Sequence, residues 1–274
     1  MKNFKDKKVI ITGGGSGMGR ELAYQLAAEG AEVFITDINA QTLNETAQNI
    51  TAKGGKCKAT VVDSGSEKQI YDYRDNFLKE NGYVDVLINN AGMALGEIEF
   101  AEVKDEHLKK IIDVNMWGVI NFTRAFLPTL ISRPEAHLAN TSSVFGIIGV
   151  RTQVPYCTTK FAVRGFTEAL RMELSDTKVK VSCVHPGGIK TNIARNGIHY
   201  KNGEASMKQF DEVAATTSED AAAVIIKGMK AGKEKILIGA DAYLIDRIAR
   251  WFPVKYSGVF KWIHEKKFKK DTAQ

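Results

Sequence analysis

The sequence predicts an α/β fold: a single doubly wound parallel sheet with helices on both faces and a C-terminal helical extension. Three observations point there. Short β-branched runs alternate with stretches of helical period, no proline- or serine-rich linker divides the chain, and a glycine cluster follows the first run. Lys8–Thr12 is that first run and stops at glycine. Gly17–Gly30 then sets Leu22, Leu26 and Ala27 at helical spacing. Glu32–Asp37 is the second strand, and a helix from Ala40 to Lys53 halts at Gly54-Gly55. Cys57–Asp63, Val84–Asn89, His137–Ser142, Lys178–His185 and Lys235–Ile238 read as later strands. Helical patterns between them cover Glu67–Asn81, Asp105–Ile131, Pro155–Asp176 and Ser218–Ala231. Strands joined by helices of this length imply β-α-β units in one sheet. Residues 1–240 are read as one domain and 241–274 as a basic, amphipathic appendage.

The 274 residues, 44% hydrophobic and 26% charged, suit a globule that needs no disulfide or metal staple. Cys57, Cys157 and Cys183 stand far apart without a C-x-x-C pair, so neither a disulfide framework nor a thiolate metal site is expected. A reducing, cytoplasmic setting fits. The first apolar run is too short for a signal-peptide core, and no apolar run is long enough to span a membrane. Of the net charge of +6, eight basic against four acidic side chains place +4 in Asp241–Gln274. The body is therefore not expected to bind nucleic acid. In the tail, Tyr243, Leu244, Ile245, Ile248, Ala249, Trp251 and Phe252 lead to Pro253. Val259, Phe260, Trp262 and Ile263 follow, then the Lys266–Lys270 cluster. This pattern fits a helix packed on the body or on a partner subunit, or weak peripheral contact with a membrane surface.

The chemistry gathers at a few positions. Thr12-Gly13-Gly14-Gly15-Ser16-Gly17-Met18-Gly19 lies between the first strand and a long helix. Glycines there let the backbone turn sharply toward a pyrophosphate, whose charge the helix N-terminus favours. Gly13, Ser16, Gly17, Met18 and Gly19 are candidate cofactor contacts on that ground. Asp37 ends the second strand, where a carboxylate accepts hydrogen bonds from ribose hydroxyls and repels a 2′-phosphate. With no lysine or arginine at 14–16 or 38–39, this implies NAD as the cofactor. The competing role for Asp37 is a helix cap before Ala40. Asp63, ending the third strand, would border the adenine pocket.

Tyr156 and Lys160 lie four apart and share a helix face. An ammonium beside a phenol favours the phenolate, so the Tyr156 pKa is expected to fall from about 10 toward working pH. Such a tyrosine can give a proton to a carbonyl oxygen or take one from an alcohol. Ser142 and Ser143 end the preceding strand, and either can hold a substrate oxygen or cap the turn. His107, His137, His185, His199 and His264 lack metal-ligand spacing and are given packing or surface roles, with His199 also a candidate for the substrate loop. Cys157 points away from the Tyr156 face and is read as packing.

With Asn89-Asn90-Ala91-Gly92, Asn115 and Pro186-Gly187 added in order and spacing, the chain resembles the short-chain dehydrogenase/reductase family in its compact form. The resemblance covers roughly residues 5–240. It implies that Tyr156 is the general acid/base and that Ser143, thirteen residues earlier, orients the substrate oxygen. Lys160 would hold the nicotinamide ribose and tune Tyr156, and Asn115 would support a water-linked proton relay. Asn90, Ala91 and Gly92 would flank the cofactor, with Asp63-Ser64 standing where the family has aspartate-threonine. Pro186, Gly187, Ile189 and Thr191 would hold its nicotinamide end, the last two at the carboxamide. The expected activity is hydride transfer between NAD(H) and an alcohol or ketone, by a homodimer or homotetramer paired through Asp105–Ile131 and Pro155–Asp176. Ile147, Ile148, Val150, Ile193, Ile198 and Tyr200 on the substrate-side loops favour a lipophilic molecule. One rival is a non-catalytic dinucleotide-binding sensor or scaffold, which needs the glycine loop but not the Ser143, Asn115, Tyr156 and Lys160 set. Another is an extended-family sugar epimerase or dehydratase, which needs a larger C-terminal domain.

Overall fold

Alternation along the strands decides which layer each side chain enters. In β1 (Lys8–Thr12), Val9 and Ile11 join one core cluster while Ile10 joins the other. The same switch separates Val33 and Ile35 from Phe34 in β2 (Glu32–Asp37). Strands buried on both faces need helices on both. The computed structural model, which describes residues 1–190, 197–198 and 215–259, supplies them. On one face lie α1 (Gly17–Ala28), α2 (Ala40–Ala52) and α7 (Ser218–Lys230), packing Leu22, Leu26, Leu43, Ile50, Ile225 and Met229. On the other lie α3 (Glu67–Asn81), α5 (Gly118–Ile131) and α6 (Val154–Glu173), with Phe77, Phe122, Phe126 and Leu170.

The remaining strands of the main sheet are β3 (Lys56–Val61), β4 (Val86–Asn89), β5 (Ala136–Thr141), β6 (Val179–Pro186) and β9 (Lys235–Ile238). All pairs are parallel, in the order β3-β2-β1-β4-β5-β6-β9. The order reverses between β1 and β4, which opens a crevice at their carboxyl ends. A separate two-stranded pairing joins β7 (Ile189–Lys190) to β8 (Thr216–Thr217), an element too short to show in the sequence pattern. Most expected elements are present with ends moved by one to three residues. The exception is Asp105–Ile131. It forms α4 (Asp105–Ile112), a π turn at Asp113–Trp117 and then α5. The Gly118 N–H donates to the Asp113 carbonyl, five residues back. Helix α8 (Ala240–Trp251) packs on β9 and on the 3-10 turn Val144–Gly146.

Two histidines lie inside this sheet. His137 and His185 are 0% exposed. Ser182 Oγ donates its proton to the Lys233 carbonyl, so His137 Nε2 carries the hydrogen in the 2.8 Å contact with that oxygen. His185 Nδ1 donates to the Ser143 carbonyl at 3.0 Å. Burial holds the pKa of His137 down at about 3 and that of His185 at about 4. Both stay neutral in the fold while the unfolded chain protonates them below about 6.5, so the unfolded state binds more protons and stability is lost as pH is lowered. Denaturant titrations should lose on the order of 1.4 kcal/mol per pH unit per histidine between about pH 6 and pH 4. His137→Gln and His185→Gln should flatten that slope, and an unchanged slope would refute the assignment.

Candidate active site

At the crevice, one threonine ties two strands together. Thr12 Oγ1 accepts from the Asn90 and Ala91 N–H groups at 3.0 and 2.9 Å, fastening the end of β1 to the turn after β4. Asn90 returns the contact through Nδ2, which donates to the Thr12 carbonyl at 3.1 Å. The glycine loop closes over this junction. Gly13 has φ +70°, and a Cβ on Gly19 would lie 2.0 Å from the Gly13 carbonyl oxygen. Only a residue without a side chain permits that approach. Ser16 is the N-cap of α1 but makes no side-chain cap, so the first N–H groups of the helix are left to other partners.

Asp37 joins the same corner. Its Oδ2 accepts from the Gly15 N–H and its Oδ1 from the Asn39 N–H, both at 3.0 Å. The helix cap falls instead to Asn39, whose side chain accepts from the Thr42 N–H, so the capping role considered for Asp37 does not hold. Arg20 braces the loop, donating to the Gly15 carbonyl from Nε at 3.0 Å and Nη2 at 2.6 Å. Asp63 folds its Oδ1 onto the Gly65 N–H at 2.8 Å, so the Asp63-Ser64 turn is held by its own carboxylate.

The second half of the site hangs from β5 and α6. Ser142 is turned inward, donating to the Lys160 carbonyl at 2.7 Å. Ser143 accepts from the Phe145 N–H at 3.1 Å, and its hydroxyl lies near enough to Tyr156 to favour the phenolate. The two serines of the sequence pair thus have different partners. Lys160 is 2% exposed, and its Nζ donates to the Thr141 carbonyl at 3.0 Å while lying 5.6 Å from the Tyr156 ring centre. Asn115 projects from the π turn. Its Oδ1 accepts from the Met93 N–H at 2.8 Å and its Nδ2 donates to the Met93 carbonyl at 2.9 Å. A Cβ on Gly92 would meet both Asn115 Oδ1 and Lys160 Nζ, at 3.3 and 3.4 Å. Gly92, Asn115 and Lys160 therefore converge.

One electrostatic expectation needs correcting. Burial pushes the Tyr156 pKa up to about 12, and the Ser143 hydroxyl offsets only part of that. Burial also brings Lys160 down to about 8. The phenol keeps its proton at neutral pH because low polarity opposes a buried phenolate.

At the far side, the Gly187 N–H donates to the Ile238 carbonyl at 2.9 Å, and the Gly188 N–H to Asp241 Oδ2 at 2.7 Å. Pro186 ends β6, while Ile189 is 3% exposed and turns its side chain into the core, leaving its backbone in β7. Thr191, Ile193, His199 and Tyr200 lie outside the described residues. Among the described residues no group of three or more His, Cys, Asp or Glu is placed to hold a metal ion. Sequence reasoning missed the roles of three contributors: Thr12, quoted only as the start of the glycine motif, Arg20, and His185, which holds the backbone of Ser143. Each acts on a backbone group, which no short pattern records.

The sequence profile of the short chain dehydrogenase family matches residues 7–201. The chain belongs to the short-chain dehydrogenase/reductase family. It is 40% identical over 257 residues to SadH of Mycobacterium tuberculosis, a protein named as an oxidoreductase, covering 91% of this chain and 92% of the relative. It is 30% identical over 261 residues to human 17-beta-hydroxysteroid dehydrogenase 13, covering 94% and 83%. A short-chain dehydrogenase/reductase from Burkholderia phymatum, solved in complex with NAD, is similar at a TM-score of 0.84 and 25% identity, covering 91% of this chain and 95% of that one.

Short-chain dehydrogenase/reductases use a nicotinamide dinucleotide, and the residues here fit one. The loop is closed to side chains at Gly19, and the start of α1 is free of a side-chain cap. Asn90 Oδ1 is buried without a partner among the described residues. Gly19→Ala should therefore force Gly13 outward and weaken dinucleotide binding by about tenfold or more, since a contact of that kind cannot relax locally. Fluorescence titration with NADH checks it; unaltered affinity in a folded variant would show that the loop does not cradle the cofactor.

Proposed function

We propose that the chain transfers a hydride between NAD(H) and a lipophilic alcohol or ketone, with Tyr156 as general acid/base. The observation that carries this reading is the Ser143–Tyr156 hydroxyl pair with the buried Lys160 ammonium on the same helix. The bound dinucleotide supplies the hydride-carrying nicotinamide. The chain does the rest. Ser143 and Tyr156 offer two hydroxyls to one substrate oxygen, and Tyr156 holds the proton that a ketone oxygen takes up on reduction. In the reverse direction Tyr156 must first lose that proton, which the charge of Lys160 favours. Asn115 keeps the Met93 backbone in place beside them.

Tyr156→Phe keeps the ring and removes the proton, so turnover should fall by about 10²–10⁴-fold with NADH binding nearly unchanged. Because the Tyr156 pKa lies high, alcohol oxidation by the wild-type protein should rise from about pH 6 to pH 9, and ketone reduction should not. Nicotinamide absorbance with a graded panel of alcohols and ketones reads both. Near-normal turnover by Tyr156→Phe, with chemistry rate-limiting, would remove Tyr156 from its role.

A lipophilic substrate is supported by what surrounds Tyr156. Leu95, Ile98 and Ile111 form a buried cluster against which Met93, Val103, Ile112, Ile198 and Tyr156 pack. Ile148 is itself 6% exposed, so it backs the loop rather than lining open space, while Ile147, 8% exposed, borders the cavity toward the tail. The human relative's name specifies a hydroxysteroid, an alcohol of this class.

NAD rather than NADP is supported by Asp37. Arg20, the cation that braces its corner, has hydrogens committed to the Gly15 and Thr42 carbonyls. Asp37→Ala should weaken NADH and relax discrimination by removing the charge that repels a 2′-phosphate. A wild-type kcat/KM higher with NADPH than with NADH would reverse the assignment.

Pairing of subunits through the α4–α6 surface is supported by apolar side chains left open there. Trp117, Ile131, Val154, Phe161 and Met172 are all exposed. Sedimentation should give a dimer or tetramer at micromolar concentration. A species only near 30.2 kDa would contradict it.

A further inference from the structure

Helix α8 has two apolar surfaces. One is satisfied internally: Ala242 is 0% exposed, and the helix lies against β9 and the Val144–Gly146 turn. The other is open. Tyr243, Leu244, Trp251, Phe252 and Val254 are exposed, Trp251 by 79% and Val254 by 86%. The two carboxylates of this stretch are both engaged with the body, Asp246 buried and Asp241 exposed at the start of the helix. Asp241 accepts from the Gly188 N–H, and Asp246, 8% exposed, is paired with Lys235 and Arg250. Arg247 and Lys255 stay exposed beside the apolar strip. Beyond Asp241 the outer surface is therefore apolar and cationic.

Charge selects among the things that cover such a strip. A second copy of the strip would set the same cations against one another. The rest of this chain's own tail adds Lys261, Lys266, Lys267, Lys269 and Lys270 against only Glu265 and Asp271. An anionic lipid surface matches both components, with aromatic and aliphatic side chains at the acyl boundary and cations among the head groups. We propose that α8 and the residues following it dock reversibly on an anionic lipid surface. The docked segment is tied to the proposed catalytic loop. Tyr256 Oη accepts from the Gly149 N–H at 3.0 Å, between Ser143 and Tyr156 in the chain. A cavity of about 340 Å³, lined by Ile147, Arg164, Asp246, Arg250 and Tyr256 among others, lies between that loop and the tail. This link to substrate delivery rests on the catalytic reading above, whereas the docking does not.

The test needs no turnover, so its failure and that of the catalytic reading are separate events. The full chain is floated with vesicles of phosphatidylcholine alone and of equal parts phosphatidylcholine and phosphatidylserine, at low and high salt. Binding to the anionic vesicles should exceed that to neutral ones by about tenfold or more and be lost at high salt. Trp251→Glu with Val254→Glu should lower it by about tenfold or more at unchanged sedimenting mass. Brominated lipid should quench the full chain more than Trp251→Phe, a conservative variant that keeps the test open where the double variant fails to fold. Absence of flotation with anionic vesicles at low salt overturns the proposal. So does equal quenching of Trp251→Phe and the unaltered protein. A smaller sedimenting mass for the folded double variant would assign the strip to a second copy instead.

Discussion

Asn89 and Asn140 share a hydrogen bond beneath the site, and much of the geometry above them follows from it. Asn89 Nδ2 donates to Asn140 Oδ1 at 2.8 Å and to Thr123 Oγ1 at 3.0 Å, while Asn140 Nδ2 donates to Thr167 Oγ1 at 3.0 Å. The threonines pass their own protons to the Val119 and Val163 carbonyls. One polar chain thus fastens α5 to β4 and α6 to β5 inside an otherwise apolar layer. Buried polar groups are costly unless paired, so the network admits few alternative registers. α6 is the helix that carries Tyr156 and Lys160, and α5 continues from the turn that carries Asn115. Their mutual placement is inherited from contacts a layer below.

Above that layer, burial and charge pull the site in opposite directions. Enclosure raises Tyr156 and lowers Lys160, so each is driven toward its neutral form. Lys160 is compensated by a carbonyl rather than a carboxylate, which leaves its charge available to a nearby phenolate. Ser143 is held twice, by the Phe145 N–H at its hydroxyl and by His185 at its carbonyl. The neutral imidazole suits that task, because a carbonyl accepts a hydrogen whether or not the ring is charged.

Much of this was legible in the residues. The order of strands and helices followed from period and β-branching, and the glycine loop, Asp37, Ser143 and the Tyr156–Lys160 spacing could each be named in advance. What was not legible shares a physical cause. A single extra residue in a π turn barely disturbs a helical period, so Asp105–Ile131 looked continuous. Thr12, Arg20 and His185 act on backbone groups, which look alike in every sequence. The sign of the Tyr156 shift depends on enclosure, which only the packed structure supplies. In the tail, composition marked α8 as amphipathic without telling which of its apolar residues would face the body.

The π turn also governs what kind of change the protein can absorb. A substitution within Asp113–Trp117 alters a side chain and leaves the pitch alone. Removing one residue would restore an ordinary helix and rotate Asp105–Ile112 by about 100° relative to α5. Ile111, now 0% exposed against Leu95 and Ile98, would swing out of its cluster, and Asn115 would leave the Met93 backbone. Length is therefore guarded in this stretch alongside Asn115, and homologous chains should vary in its other letters while keeping its count.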